Sequence, residues 1–121
     1  MAKILIVDDS PTEIHVMRTL LEKNGYTVFT AADGASGINS AKQIQPDLIL
    51  MDVVMPVMNG YQATRQLSKD PETAHIPVIM VTTRGAETDQ NWGLRQGARE
   101  YLTKPIDTRM LLSKIKGLLT H

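Results

Sequence analysis

The 121-residue chain has no cysteine, which excludes disulfides, thiolate catalysis and cysteine-based zinc sites. Its three histidines, His15, His75 and His121, lack the close spacing of a histidine metal site such as His-Glu-x-x-His. Long apolar runs are also missing. The N-terminal Met-Ala-Lys precedes only four apolar residues, Ile4 to Val7, too few for a signal peptide or a membrane span. Nor is there an excess of one charge. Thirteen basic side chains balance 13 acidic ones, so no general field draws the chain to nucleic acid or to an anionic membrane. With neither a helix-turn-helix segment nor a basic patch, DNA binding is not expected. A chain this short closes around one core, so a single cytoplasmic domain over residues 1–121 is the simplest expectation.

What the sequence does have is alternation. Lys3–Val7, Tyr26–Thr30, Leu48–Met51 and Val78–Val81 are short, largely apolar runs, and Glu100–Thr103 is a weaker one. Runs of this kind mark strands covered on both faces, hence a parallel sheet. Between them lie helical stretches. Ser10, Pro11 and Glu13 predict an N-terminus with a Ser-x-x-Glu capping box, Ile14, Met17 and Leu21 form an apolar stripe, and Gly25 closes the helix. Further helices are expected over about 35–44, 60–68, 86–96 and 108–119. Five βα units in succession imply right-handed crossovers and a doubly wound α/β domain.

Ligands of such folds bind at the carboxyl ends of the strands. After the first strand come Asp8 and Asp9, after the third Asp52, after the fourth Thr82 and Thr83, after the fifth Lys104 and Pro105. Taken singly, each is an ordinary cap or turn residue. Taken together, acid, acid, hydroxyl and amine follow four strands of one predicted edge, which is the pattern of a site. A cluster of carboxylates is partly protonated or holds a cation, and all-oxygen ligands suit Mg²⁺ completed by a phosphate. Asp52 is then a candidate nucleophile toward a phosphoryl donor, with Thr82 and Lys104 cradling the phosphoryl oxygens. Two other classes fit poorly. A dinucleotide enzyme needs Gly-x-Gly-x-x-Gly where this chain has Asp-Asp-Ser-Pro, and a haloacid dehalogenase-type phosphatase needs a second acid where this chain has Val54.

The ordered set VDD (Val7 to Asp9), LMDVVMPVMNG (Leu50 to Gly60), VTT (Val81 to Thr83) and YLTKP (Tyr101 to Pro105) resembles the receiver domain of bacterial response regulators across essentially the whole chain. That resemblance implies a flavodoxin-like five-stranded sheet of order 2-1-3-4-5, and a sequence that stops just past the fifth expected helix leads us to expect no output domain. It implies that Asp52 is the phosphoacceptor and that Asp9, Asp52 and the backbone carbonyl of Val54 ligate Mg²⁺, with Asp8 acting through a metal-bound water. Thr82 would be the switch hydroxyl, Tyr101 the aromatic that changes rotamer with it, Lys104 the phosphoryl partner, and Lys104–Pro105 a cis bond. On this view the protein is a phosphoacceptor rather than an enzyme with a separate substrate. It would be a monomer whose partners are a chemotaxis-type histidine kinase and a protein target on the face of the fourth helix, fifth strand and fifth helix.

Val54 and Arg84 stand where the family tunes phosphoryl lifetime, and an apolar Val54 with a cationic Arg84 implies slow self-dephosphorylation. Thr83 is larger than the small residue common there. Gly93 and Gly97 are expected to keep the fourth helix adaptable, while Trp92 on that helix reads either as packing or as an exposed contact. The blocks SPTEIHVM (Ser10 to Met17) and ETDQNWGLRQGAREYLTKP (Glu87 to Pro105) look like those of stand-alone receivers in type IV pilus, or twitching-motility, chemosensory systems. The competing expectation is a receiver-like module that binds proteins without phosphorylation.

Overall fold

The computed structural model of the protein describes residues 1–120; His121 lies outside them. Its elements alternate: β1 (Lys3–Val7), α1 (Pro11–Lys23), β2 (Thr27–Ala31), α2 (Gly34–Ile44), β3 (Leu48–Met51), α3 (Gly60–Lys69), β4 (Val78–Thr82), α4 (Glu87–Arg95), β5 (Glu100–Thr103) and α5 (Thr108–Leu119). The strands pair in parallel in one sheet of order β2-β1-β3-β4-β5. The doubly wound architecture and the strand order are those expected from the sequence.

The two-residue period of the strands divides the core into two layers. Leu5, Val7, Ile49, Met51 and Val78 point to one face, against Ile38 and Ala41 of α2 and Ala63 and Leu67 of α3. Ile4, Ile6, Leu48, Leu50, Ile79 and Val81 point to the other, against Leu21 of α1 and Leu111 and Ile115 of α5. Burying each such aliphatic side chain is worth about 1.5–3 kcal/mol. Both faces of the central strands are thereby closed, which leaves only their ends open to solvent.

Local chemistry departs from the sequence reading in three places. The capping box of α1 is only half formed. Ser10 Oγ accepts from the Glu13 N–H at 3.3 Å, but the Ser10 N–H donates to Asp8 Oδ1 at 2.9 Å and the Glu13 carboxylate turns to the Lys104 ammonium. An ammonium is a stronger partner for a carboxylate than a backbone amide is, so the long-range contact wins. A complete box appears instead on α3, where Asn59 and Gln62 exchange side-chain bonds with each other's amides at 2.9 Å. Second, β2 begins one residue later than expected, because the Tyr26 N–H goes to the Leu21 carbonyl and so belongs to the end of α1. Third, β4 extends through Thr82, so the sheet pleat itself orients that hydroxyl.

Candidate functional site

Strand register brings the carboxylates together. Val7 lies opposite Met51, and the ladder continues with the Asp52 N–H donating to the Val7 carbonyl at 2.9 Å. Asp8, whose N–H bonds to the Ala31 carbonyl at 3.1 Å, therefore leaves the sheet beside Asp52. Asp9 completes the group: one carboxylate oxygen from each of Asp8, Asp9 and Asp52 lies within 4.8 Å of the others. Asp8 and Asp52 are buried and Asp9 is exposed, which gives the cluster a closed floor and an open rim.

Lys104 reaches the cluster from the β5–α5 turn. Its peptide bond to Pro105 is cis, and its N–H donates to the Thr82 carbonyl at 2.7 Å. The ammonium stands 3.6 Å from Asp8 Oδ2 and 3.7 Å from Asp52 Oδ1, while its hydrogen-bonded partner is Glu13. Thr82 is buried at the end of β4, and its hydroxyl oxygen accepts from the Arg84 N–H at 3.2 Å, leaving the hydroxyl proton available to donate. Arg84 itself leans toward α4, 3.6 Å from Asp89.

Burial, followed by the negative charge of Asp8, pushes the Asp52 carboxyl up to about 6, and Lys104 only partly opposes this. Burial also raises Asp8. Glu13 is held below the ordinary carboxylate value by its bond to Lys104. For Lys104, burial pulls the ammonium down, but the bond to Glu13 and the charges of Asp52 and Asp8 outweigh it and raise it overall. Two neighbouring buried carboxylates whose ionised forms are disfavoured have the chemistry of a hard-cation site. An all-oxygen set fits a divalent ion such as Mg²⁺.

The β3–α3 loop follows Asp52 and carries Val54, whose side chain is exposed. Gly60 anchors the loop from below: a Cβ there would lie 2.1 Å from the Asp52 carbonyl oxygen, so only glycine lets α3 start this close to the phosphoacceptor candidate. Val57 adopts φ +70° and is fully exposed, a left-handed conformation that a β-branched residue rarely tolerates.

Tyr101 does not reach the carboxylates. It packs with Val53, Tyr61, Met80 and Ala98, and its hydroxyl donates to the Arg84 carbonyl at 2.6 Å. Tyr61 was not singled out by sequence. Its hydroxyl lies 3.1 Å from that of Tyr101 and donates to the Asp89 carbonyl at 3.2 Å. Burial raises the Tyr101 phenol well above its ordinary value. Gly93 is more than a weak point in α4, since a Cβ there would meet the Tyr101 ring at 2.7 Å and Met80 Sδ at 2.8 Å. Ala86 begins α4 without a side-chain cap, so that end of the helix lacks the stabilisation a capping side chain would add. Trp92 is about half exposed and lines a groove with Val54, Tyr61 and Arg84. Glu13 also escaped the sequence reading, because its spacing to Ser10 offered a local partner while Lys104 is 91 residues away.

Residues 4–116 match the family model of the response regulator receiver domain, and the chain belongs to that family. Among its relatives, Protein PilH of Pseudomonas aeruginosa strain PAO1 is 58% identical over 119 residues, covering 98% of each chain. The structure of the Vibrio cholerae chemotaxis protein CheY4 is 34% identical with a TM-score of 0.91, covering 98% of this chain and 99% of that one. The receiver domain of the Pseudomonas aeruginosa sensor histidine kinase PA1611, solved with a magnesium ion coordinated in its active-site cleft, is 32% identical with a TM-score of 0.91, covering 99% of this chain and 98% of that one. Among the described residues, no helix is long and apolar enough to cross a membrane.

Proposed function

We propose that the protein is a cytoplasmic response regulator that takes a phosphoryl group from the phosphohistidine of a chemotaxis-type kinase onto Asp52 in a Mg²⁺-dependent reaction. It then passes the signal through the face of α4, β5 and α5, or drains a shared kinase. The observation that carries the reading is the convergence of Asp8, Asp9 and Asp52 with the Lys104 ammonium at the carboxyl edge of a receiver fold. The 58% identity to PilH supports a place in pilus or twitching-motility signalling.

In the transfer, a carboxylate oxygen of Asp52 attacks phosphorus. The P–O bond forms as the P–N bond breaks, and the imidazole leaves with the electron pair. β3 aims the nucleophile, since the Asp52 backbone is fixed by the bond from its N–H to Val7. Lys104 offsets negative charge on the phosphoryl oxygens, and the Thr82 hydroxyl donates to one of them. Asp9, Asp52 and the Val54 carbonyl would hold Mg²⁺, with Asp8 acting through water. When bound, the ion neutralises the carboxylates and the incoming phosphoryl group. As Thr82 moves to the phosphoryl group, its bond to the Arg84 N–H changes, and Arg84 carries the carbonyl that holds Tyr101. One residue thus links the chemistry to the proposed output face.

Intact-protein mass after incubation with Mg²⁺ and acetyl phosphate tests this. A single phosphoryl adduct on the wild type, absent from Asp52→Ala, is expected. An unmodified wild type, even with a kinase supplied and the reaction trapped early, would favour a binding module that works without phosphorylation.

A further inference from the structure

Glu13 belongs to none of the motifs that define the site, and the proposed transfer assigns it no task. Yet it is the hydrogen-bonded partner of the Lys104 ammonium. The two carboxylates on the reaction side, Asp8 at 3.6 Å and Asp52 at 3.7 Å, lie beyond the 2.7–2.9 Å typical of a charge-assisted hydrogen bond. The lysine is therefore drawn toward α1 and away from the atom it would serve. Its stem cannot follow a new partner far, because its backbone is tied to Thr82 and the side chain is only 16% exposed. Glu13 is 46% exposed, so its carboxylate can swing into water with little desolvation cost.

We propose that Glu13 is a positioning residue that restrains Lys104 and must release it when a phosphoryl group enters, so that it acts as a brake on phosphorylation of Asp52. The proposal rests on the phosphoacceptor reading above. An ammonium has three hydrogens but one compact charge. A carboxylate that holds it competes directly with the phosphoryl oxygens gathering charge in the transition state. The competition is local and needs no movement of the helix, since a Glu side chain can turn away by rotation about its own bonds. The position on α1 also explains the half-formed capping box: the side chain that would have closed it is committed elsewhere.

The test measures the rate of phosphorylation by acetyl phosphate at saturating Mg²⁺, followed by intact mass, for wild type, Glu13→Gln, Lys104→Met and the double variant. Glu13→Gln is expected to react roughly fivefold faster than wild type, and to make no difference once Lys104 is already Met. An unchanged or slower Glu13→Gln would overturn the proposal. So would an acceleration that persists in the Lys104→Met background, since that would be simple repulsion of an anionic donor. Thermal unfolding of the same four proteins without metal reads the pair independently of reaction. Non-additive shifts are expected, and additive ones would also overturn the restraint. A wild type that takes no phosphoryl group at all sinks the phosphoacceptor reading itself, an outcome distinct from a wild type that reacts at the same rate as Glu13→Gln.

Discussion

The hydroxyls of Tyr61 and Tyr101 lie 3.1 Å apart, 40 residues from each other in sequence. Tyr101 has one hydroxyl proton and gives it to the Arg84 carbonyl at 2.6 Å. Tyr61 must then be the donor of the pair, sharing its proton between Tyr101 and the Asp89 carbonyl. The outcome is a directed chain, α3 to β5 to the β4–α4 loop, that holds the aromatic ring inward.

Tyr61→Phe removes that donor and keeps the packed ring. Tyr101 then has one fewer partner in a half-buried position, and a loss of about 1 kcal/mol in stability is expected. Trp92 is on the element that Tyr61 braces through Asp89, so its fluorescence should shift as well. A variant with wild-type stability and an unchanged emission spectrum would show that the chain of hydroxyls carries no weight.

Gly60→Ala and Gly117→Ala should move stability in opposite directions. At Gly60 the new methyl meets the Asp52 carbonyl oxygen, whereas at Gly117 nothing lies within 4 Å. The first is expected to destabilise by about 3 kcal/mol and to depress phosphorylation by displacing the loop that carries Val54. The second, in the last turns of α5, is expected to stabilise by about 0.5–1 kcal/mol. Urea midpoints of the two variants compare them directly.

Val57→Asn is expected to stabilise by about 1 kcal/mol, because asparagine accepts the left-handed conformation at φ +70° that valine resists. The side chain is fully exposed, so no packing is lost. A lower melting temperature in the variant would show that the valine makes a contact worth more than its strain.

Asp52→Asn should stabilise the metal-free protein, and the sign follows from the raised carboxyl. The folded protein holds the Asp52 proton up to about pH 6, against 3.8 for the ordinary carboxyl. Between those values the folded state binds more protons than the unfolded chain, so stability falls as pH rises and the loss is complete by neutral pH. Asn removes a penalty on the order of 2 kcal/mol at neutral pH. The gain should vanish below about pH 4. Mg²⁺ should raise the melting temperature of the wild type more than that of the variant, and equal shifts in scanning calorimetry would argue against Asp52 as a ligand.

The parts of the molecule that were legible in sequence are those written in local patterns. Apolar runs gave five strands to within a residue, and punctuation gave the helices, because period and capping are properties of neighbours in the chain. Asp8, Asp9, Asp52, Thr82 and Lys104 stood out because each ends or follows a strand, and a parallel sheet places all such positions at one edge. Glu13 and Tyr61 did not, because the partners that bring them to the site are distant in sequence. Glu13 was misleading as well as silent, since its spacing from Ser10 fits a capping box that Lys104 pre-empts. Gly93 reads in sequence only as a weak point of α4, and the Tyr101 ring packed against it adds a second reason for glycine there.

The order of the strands gives Asp52 and Tyr101 different degrees of restraint. Asp52 leaves β3, the middle strand, which is hydrogen-bonded on both sides. Tyr101 rides on β5, an edge strand with a single neighbour. Local opening is cheapest at the margins of a sheet and dearest at its centre. Within this pair of strands, amide hydrogen exchange should accordingly be slower in β3 next to Asp52 than in β5 around Tyr101. The sheet is thus a lever clamped at its midpoint, with Thr82 on β4 a single strand away from one of its two free edges.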